Sequence, residues 1–319
     1  MNSPNYINKL PSLKYSIVVP VFRSEKTLPM LIERLTSQLQ QLDESYEIIL
    51  VEDNGGDKSW QVMENLQKKY ENLQIIRLMR NFGQHNALMC GFSFCRGEVV
   101  ITLDDDLQNP PEEIPKLIST LSKGYDVVYG VPPKRKQHFM RNIGSFLVRA
   151  IYKKIFDIQV DLTSFRIMTR DVVRGICEYN KNFTFIDGLL AWHTTNIGEV
   201  EVKHDPREIG STGYSLKKLV TLTVNMLTNF SIGPLQLATF LGLIFSTLGF
   251  LIATWFILKY LIFDIPVPGF TSIIVSITLF SGVQMLTLGL IGEYLGRIHL
   301  NINSKPQYFI KDCKSSEKE

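Results

Sequence analysis

Two stretches near the C-terminal end carry no formal charge: 40 residues, 219–258, between Lys218 and Lys259, and 28 residues, 265–292, between Asp264 and Glu293. A helix crosses the hydrocarbon core of a bilayer with about 20 apolar residues, so each stretch is long enough to span. Spanning helices are expected over 232–258 and 265–292, joined by the turn Asp264-Ile-Pro-Val-Pro-Gly269. A hairpin wholly buried in a soluble core would share this composition. Lys217 and Lys218 before the first stretch, and Arg297 and Lys305 after the second, place both flanks on the cytoplasmic side.

The chain ahead of these stretches has a different rhythm. Short β-branched runs at 15–22, 46–51, 73–78, 99–103 and 126–129 alternate with segments at 27–42, 59–70, 84–95 and 112–123. In the latter, Leu, Ile and Met recur every three or four residues. That alternation predicts an α/β fold of βα units around a mostly parallel sheet covered on both faces. Ligands of such sheets bind beyond the carboxyl ends of the strands. Three of those ends carry acids: Glu25, the pair Glu52 and Asp53, and Asp104-Asp105-Asp106.

Residues 137–156 interleave aromatic and aliphatic side chains with Arg141, Arg149, Lys153 and Lys154, the pattern of a basic amphipathic helix in a membrane interface or of a surface helix packed on the sheet. A second interfacial helix is expected over 215–230, and a disordered polar tail after Lys311. The expected organisation is an α/β core over 1–136, a second part of the same domain over 137–230 with the interfacial helices, the spans within 231–294 and a cytoplasmic tail over 295–319.

Composition narrows the classes. With 45% hydrophobic and 20% charged residues the chain is globular, and a net charge of +3 gives no electrostatic footprint for nucleic acid. The four cysteines form no Cys-x-x-Cys pair and no zinc spacing with the five histidines, as expected of free thiols in a reducing compartment. The only early apolar run, 15–22, ends at Arg23 without a small-residue cleavage site, so no secretory signal is read and the N-terminal part is expected in the cytosol. Neither a Gly-x-x-x-x-Gly-Lys-Ser/Thr loop nor Gly-x-Gly-x-x-Gly occurs, which leaves no glycine cradle for phosphates.

Three adjacent aspartates repel one another unless a cation sits among them. On an extended segment Asp104 and Asp106 point the same way and can share one ion, with Asp105 facing elsewhere. Oxygen-only ligands suit Mg²⁺ or Mn²⁺, ions that keep waters and bind substrate phosphates. A solvated acidic turn would show the same residues, but these follow an apolar strand in an α/β sheet.

The motifs Ser16-Ile-Val-Val-Pro-Val-Phe-Arg-Ser-Glu25, Val51-Glu-Asp-Asn-Gly-Gly-Asp-Lys-Ser59, Arg80-Asn-Phe-Gly-Gln84 and Leu103-Asp-Asp-Asp-Leu-Gln-Asn-Pro-Pro-Glu-Glu113 resemble, in order, those of family 2 glycosyltransferases with the GT-A fold. With His204-Asp-Pro-Arg-Glu-Ile-Gly210, Tyr214-Ser-Leu-Lys-Lys218 and the two apolar stretches, the resemblance narrows to membrane-attached polyprenyl-phosphate glycosyltransferases. These include bactoprenol glucosyltransferases, dolichol-phosphate mannose synthases and undecaprenyl-phosphate formamido-arabinose transferases. The resemblance implies that Pro20, Phe22, Glu25, Asp53 and Asn81 line the nucleotide pocket, with Asp53 accepting from the base. It implies that Asp104 and Asp106 hold the metal on the donor diphosphate and that Gln108 orients sugar or acceptor. Ser164 stands in Asp161-Leu-Thr-Ser-Phe-Arg166 where several bacterial relatives carry an aspartate, a suggested base, and Gly213 stands where the formamido-arabinose enzymes carry lysine. Arg166 and Arg207 are the candidates for phosphate contacts; for each, a surface ion pair is the alternative.

The implied reaction is displacement at the anomeric carbon of a nucleotide sugar, a UDP-sugar by resemblance, by the phosphate of a polyprenyl lipid, with inversion. Its partners are the nucleotide sugar, the lipid and the inner membrane, and by resemblance further copies of the chain. A phosphate monoester is an oxyanion near pH 7, its second pKa being about 6, so no general base is required. A processive polysaccharide synthase would share the core but lacks support here, since no Gln-x-x-Arg-Trp motif occurs and two spans do not enclose a polymer channel. A transporter would need ionisable groups within the spans. A scaffold that binds a nucleotide sugar without turnover is the remaining alternative, since a sequence shows residues and not turnover.

Overall fold

The computed structural model describes residues 7, 9, 12–133, 160–181, 183–205, 233–263, 269–302 and 306–315. The chain forms two compact units, one built from 1–213 and 304–319, the other from 214–303. Arg207, most of the turn at 264–269 and the segments 137–156 and 215–230, where interfacial helices are expected, lie outside the described residues.

The first unit is a sheet of eight strands. They are β1 (Leu13–Val21), β2 (Tyr46–Glu52), β3 (Leu73–Leu78), β4 (Gly97–Thr102), β5 (Val127–Val131), β6 (Arg166–Thr169), β7 (Ile197–Glu201) and β8 (Ile310–Lys314), in the spatial order β7-β5-β6-β4-β1-β2-β3-β8. Strands β1, β2, β3 and β4 are mutually parallel, as the βα alternation predicts. Ile17, Val18 and Val19 of β1 are buried on both faces, as a central parallel strand requires. Helices α1 (Leu28–Gln40), α2 (Ser59–Lys69), α3 (Gln84–Phe94) and α4 (Ile114–Leu121) fall where the periodicity places them, with shifts of a residue or two at their ends. In α1, Leu28, Leu31, Ile32, Leu35 and Leu39 form one buried stripe against the sheet.

Two features set the position of the cleft. Order reverses at β1, whose neighbours are β2 on one side and β4 on the other, so a crevice opens at their carboxyl ends. Helix α3 packs close over the sheet at Gly91, where an added Cβ would lie 2.4 Å from Val18 Cγ1. That contact brings the N-terminal turn of α3 to the same crevice.

The structure adds elements absent from the sequence reading. Strand β6 inserts antiparallel between β4 and β5, β7 runs parallel to β5, and helices α5 (Arg170–Cys177) and α6 (Ile186–His193) follow β6. The expected disordered tail is also corrected: Ile310–Lys314 is the edge strand β8, antiparallel to β3. Its far end is fixed by Lys314, whose Nζ lies 2.6 Å from Glu64 Oε1 and whose carbonyl accepts from Gln67 Nε2 at 2.8 Å.

The second unit holds α7 (Gly233–Phe263) and α8 (Phe270–Ile302), which meet where a Cβ on Gly249 would lie 3.3 Å from Phe280 Cζ. Among the described residues one window, Leu235–Ile252 of α7, is long and apolar enough to cross a membrane.

Candidate functional site

An open cleft of ≈ 270 Å³ is lined by Pro20, Val21, Phe22, Asp53, Asn81, Gly83, Gln84, Asp104, Asp105 and Asp106. Each group arrives from the carboxyl end of a strand, the loop after it or, for Gln84, the first turn of α3, which is why residues far apart in sequence share one wall. Three of the four non-glycine residues with left-handed backbone among the described residues stand in these loops: Arg23 (φ 59°), Asn54 (φ 51°) and Leu107 (φ 63°). Such conformations cost energy and concentrate at functional turns. At Leu107 the turn buries the side chain and leaves Asp106 and Gln108 flanking it.

The acid turn is tied down on three sides. Asp104 accepts from Gln84 Nε2 through Oδ1 at 2.6 Å and from Ser164 Oγ through Oδ2 at 2.5 Å. Ser164 reaches it because β6 pairs with β4 and because Thr102 Oγ1 donates to the Ser164 carbonyl at 2.6 Å. Asp105 turns its carboxylate to the loop after β1, accepting from Phe22 N at 2.8 Å and from Ser24 Oγ. Burial pushes its pKa up to about 6, against the pull of those two donors. Asp106 Oδ1 accepts from Gln108 N at 3.2 Å, closing the turn locally. The following segment is clamped by Arg34, whose Nε and Nη2 make parallel bonds of 2.9 and 2.7 Å to Glu112.

The opposite wall rests on Asp53. This buried side chain accepts from Phe82 N at 2.7 Å and Gly83 N at 2.8 Å, and so holds the loop that carries Asn81. Burial raises its pKa, and the two backbone donors oppose the shift. Gly83 adopts φ 89° and ψ 156° at the start of α3, a backbone region suited to glycine.

Of the residues named from sequence, the cleft thus gathers Pro20, Phe22, Asp53, Asn81, Asp104 and Asp106. Glu25 is not among its lining groups: its Oε2 accepts from Lys58 N at 3.0 Å, where α2 begins. Gln108 sits one step outside, its carbonyl accepting from Asp205 N at 2.9 Å, which holds the chain ahead of Arg207 against the acid turn. Arg166 is displaced most from its expected place. It is 1% exposed and paired with Asp187, to which Tyr129 also donates at 2.9 Å, so its cation is committed inside the core and not offered to the cleft. The expectation that it contacts phosphate is corrected by that burial. Gln84, Gly83 and Ser164 carry no expected role; only the break at Ser164 from a related aspartate marked its position.

The acid turn suits a hard divalent ion. Among the described residues no group of three or more His, Cys, Asp or Glu side chains could hold a metal alone. Two carboxylates facing an open cleft match an ion that completes its shell with water and ligand phosphate oxygens.

The profile of glycosyl transferase family 2 matches residues 16–176. The undecaprenyl-phosphate 4-deoxy-4-formamido-L-arabinose transferase of Photorhabdus laumondii subsp. laumondii is 36% identical over 313 residues, 96% of this chain and 95% of that protein. The enzyme of the same name from Proteus mirabilis is 37% identical over 306 residues, 93% of each chain. Among solved structures, glucosyl-3-phosphoglycerate synthase from Mycobacterium tuberculosis, in complex with Mn²⁺, uridine diphosphate and phosphoglyceric acid, has a TM-score of 0.51. It is 15% identical, over 68% of this chain and 77% of that one, a likeness of fold.

Proposed function

The chain belongs to glycosyl transferase family 2, and on that premise we propose that it moves a sugar from a nucleotide donor, a UDP-sugar, to undecaprenyl phosphate at the inner face of a bacterial membrane. Relatives named for a transfer of this class align over nearly the whole chain. The single observation that carries the reading is the gathering of Asp53, Asn81, Asp104 and Asp106 around one cleft at the strand ends.

Asp53 holds the base-side loop and, with Asn81, forms the nucleoside end of the cleft. Asp104 and Asp106 face the diphosphate end and would hold Mg²⁺ or Mn²⁺, which when bound offsets the charge of the leaving diphosphate. Gln84 and Ser164 keep the Asp104 carboxylate aimed. An oxygen of the lipid phosphate attacks the anomeric carbon, the bond to the donor diphosphate breaks, and configuration inverts. The attacking group is already anionic near pH 7. Rate acceleration therefore rests on alignment and charge stabilisation and not on proton abstraction. Gln108, beside the acid turn, orients the sugar, and Arg207 is proposed to meet phosphate from the segment after Asp205. Helices α7 and α8 form the membrane hairpin, since leaving the bilayer costs an isoprenoid about 0.8 kcal/mol per CH₂ and the enzyme must work at its surface.

Incubating the purified protein with a panel of radiolabelled nucleotide sugars, Mg²⁺ and undecaprenyl phosphate tests this. Label entering the organic phase from one donor, and failing to do so with Asp104→Asn, supports it. Label appearing in a polymer, or no transfer from any donor, refutes it.

A further inference from the structure

The residue just ahead of the C-terminal strand, Phe309, packs on the loop that walls the cleft. Residues 306–314 follow α8 in sequence yet belong to the unit that holds the sheet. Gln307 Nε2 donates to the carbonyls of Tyr179 and Lys181 at 3.0 and 3.1 Å, and Tyr308 Oη donates to Ser93 Oγ at 3.2 Å. The carbonyl of Phe309 accepts from Met79 N at 2.9 Å, just beyond the pairing of β3 with β8. The Phe309 ring meets the Phe82 ring, centroids 6.3 Å apart, and Arg80 lies over the same Phe82 ring at 4.7 Å.

Met79, Arg80 and Phe82 surround Asn81, which lines the cleft, and Phe82 N is one of the two donors that Asp53 grips. The loop is thus held from two directions: from the sheet by Asp53, with Asn54 Nδ2 donating to the Met79 carbonyl at 3.1 Å, and from the C-terminal segment by Phe309. Phe309 is 52% exposed, so its ring contributes little as core. Its contacts fall on the wall of the cleft.

We propose that Phe309, carried on the segment that follows α8, is a positioning residue for donor binding: it fixes the 79–83 loop through Phe82 and so presets Asn81 for the nucleotide. This rests on the reading of the cleft as a nucleotide site. It makes the donor pocket complete only when the chain beyond α8 has docked on β3. A catalytic domain cut before α7 lacks this strand and half of the loop's support.

The test is calorimetric titration of the full-length protein in detergent with UDP, GDP and CDP in the presence of Mn²⁺, using the nucleotide that the unaltered protein binds most tightly. Phe309→Ala is expected to raise Kd about three- to tenfold, the range that one aromatic pair contributes. Phe309→Leu, which keeps apolar volume without a ring, should move it in the same direction, and Phe309→Tyr should restore it. Lys314→Ala, at the far end of the same strand, should leave Kd unchanged while lowering the melting temperature. In the double variant with Phe82→Ala, loss of Phe309 should add nothing further. Equal Kd for the unaltered protein, Phe309→Ala and Phe309→Leu overturns the proposal, as does additivity with Phe82→Ala. If the unaltered protein binds none of the three nucleotides, the reading of the cleft itself falls, and the proposal with it.

Discussion

Asp104 accepts at one oxygen from Gln84 and at the other from Ser164, two neutral donors that orient its carboxylate, which under the proposed reading faces a divalent cation. Asp104→Asn or Asp106→Asn is expected to cut transfer about 10²–10³-fold, the scale of losing one preorganised charge-stabilising group, with the melting temperature little changed; turnover assays alongside thermal melts check this. The acids were legible in sequence because crowded like charge demands an explanation. Gln84 was not, since an amide at the start of a helix has no pattern of its own. Arg166 misled for a related reason: sequence shows a charge but not its depth, and β6 draws this one into the core beside Asp187. Removing that partner strands a buried cation, so Asp187→Ala should cost about 3–5 kcal/mol, read from denaturant unfolding. His85, whose ring meets Phe185, lies within electrostatic reach of the same pair. Burial holds its pKa down at about 4, with Asp187 opposing the shift and Arg166 adding to it. The folded protein therefore leaves His85 neutral at pH values where the unfolded chain, with its ordinary value of 6.5, takes up a proton. Stability from this group is present above about pH 6.5 and is lost as pH falls towards 4. In His85→Asn, which keeps an acceptor for Ile186 N, melting temperature should vary less between those limits than in the unaltered protein.

At the scale of elements, what could be read was whatever repeats. The four parallel strands and four helices from β1 to α4 announce themselves because a strand buried on both faces is a continuous apolar run and a helix is a stripe. Strand β6 has four residues, and β8 reads Ile-Lys-Asp-Cys-Lys, charged because one edge of it faces water; neither pattern separates from loop. The pair Phe309-Ile310, just ahead of the polar tail, was the available signal. Close approach is equally invisible without coordinates. Gly91 looks like a helix-weakening residue, yet it is where α3 presses on β1, with Val18 and Val51 against the missing Cβ. Gly91→Val should lower stability by about 1–3 kcal/mol through overpacking. It should also weaken nucleotide binding, because α3 carries Gln84 to the cleft; calorimetric titration next to thermal melts separates the two effects.

For the whole molecule, the proposed division of labour is that one unit does chemistry on a water-soluble donor and the other keeps it where the acceptor lives. A polyprenyl tail stays in the bilayer because each buried CH₂ is worth about 0.8 kcal/mol, a sum no surface cleft recovers. The helices of the second unit carry 23 uncharged residues over 270–292 and a span-length apolar window over Leu235–Ile252, so they have the length to anchor the enzyme there. If anchoring is their role, replacing 233–302 by a flexible linker, which preserves residues 306–315 and therefore β8, should leave the donor site intact. Such a protein is expected to bind nucleotide with unchanged Kd and to glycosylate a short-chain isoprenoid phosphate dissolved in water. Its rate on undecaprenyl phosphate embedded in vesicles should fall by at least about 10²-fold, since encounter now depends on collision with a surface instead of residence at it. Comparable activity of the linker variant on vesicle-borne and dissolved acceptors would instead assign α7 and α8 to acceptor-independent assembly, leaving the first unit able to find the lipid unaided.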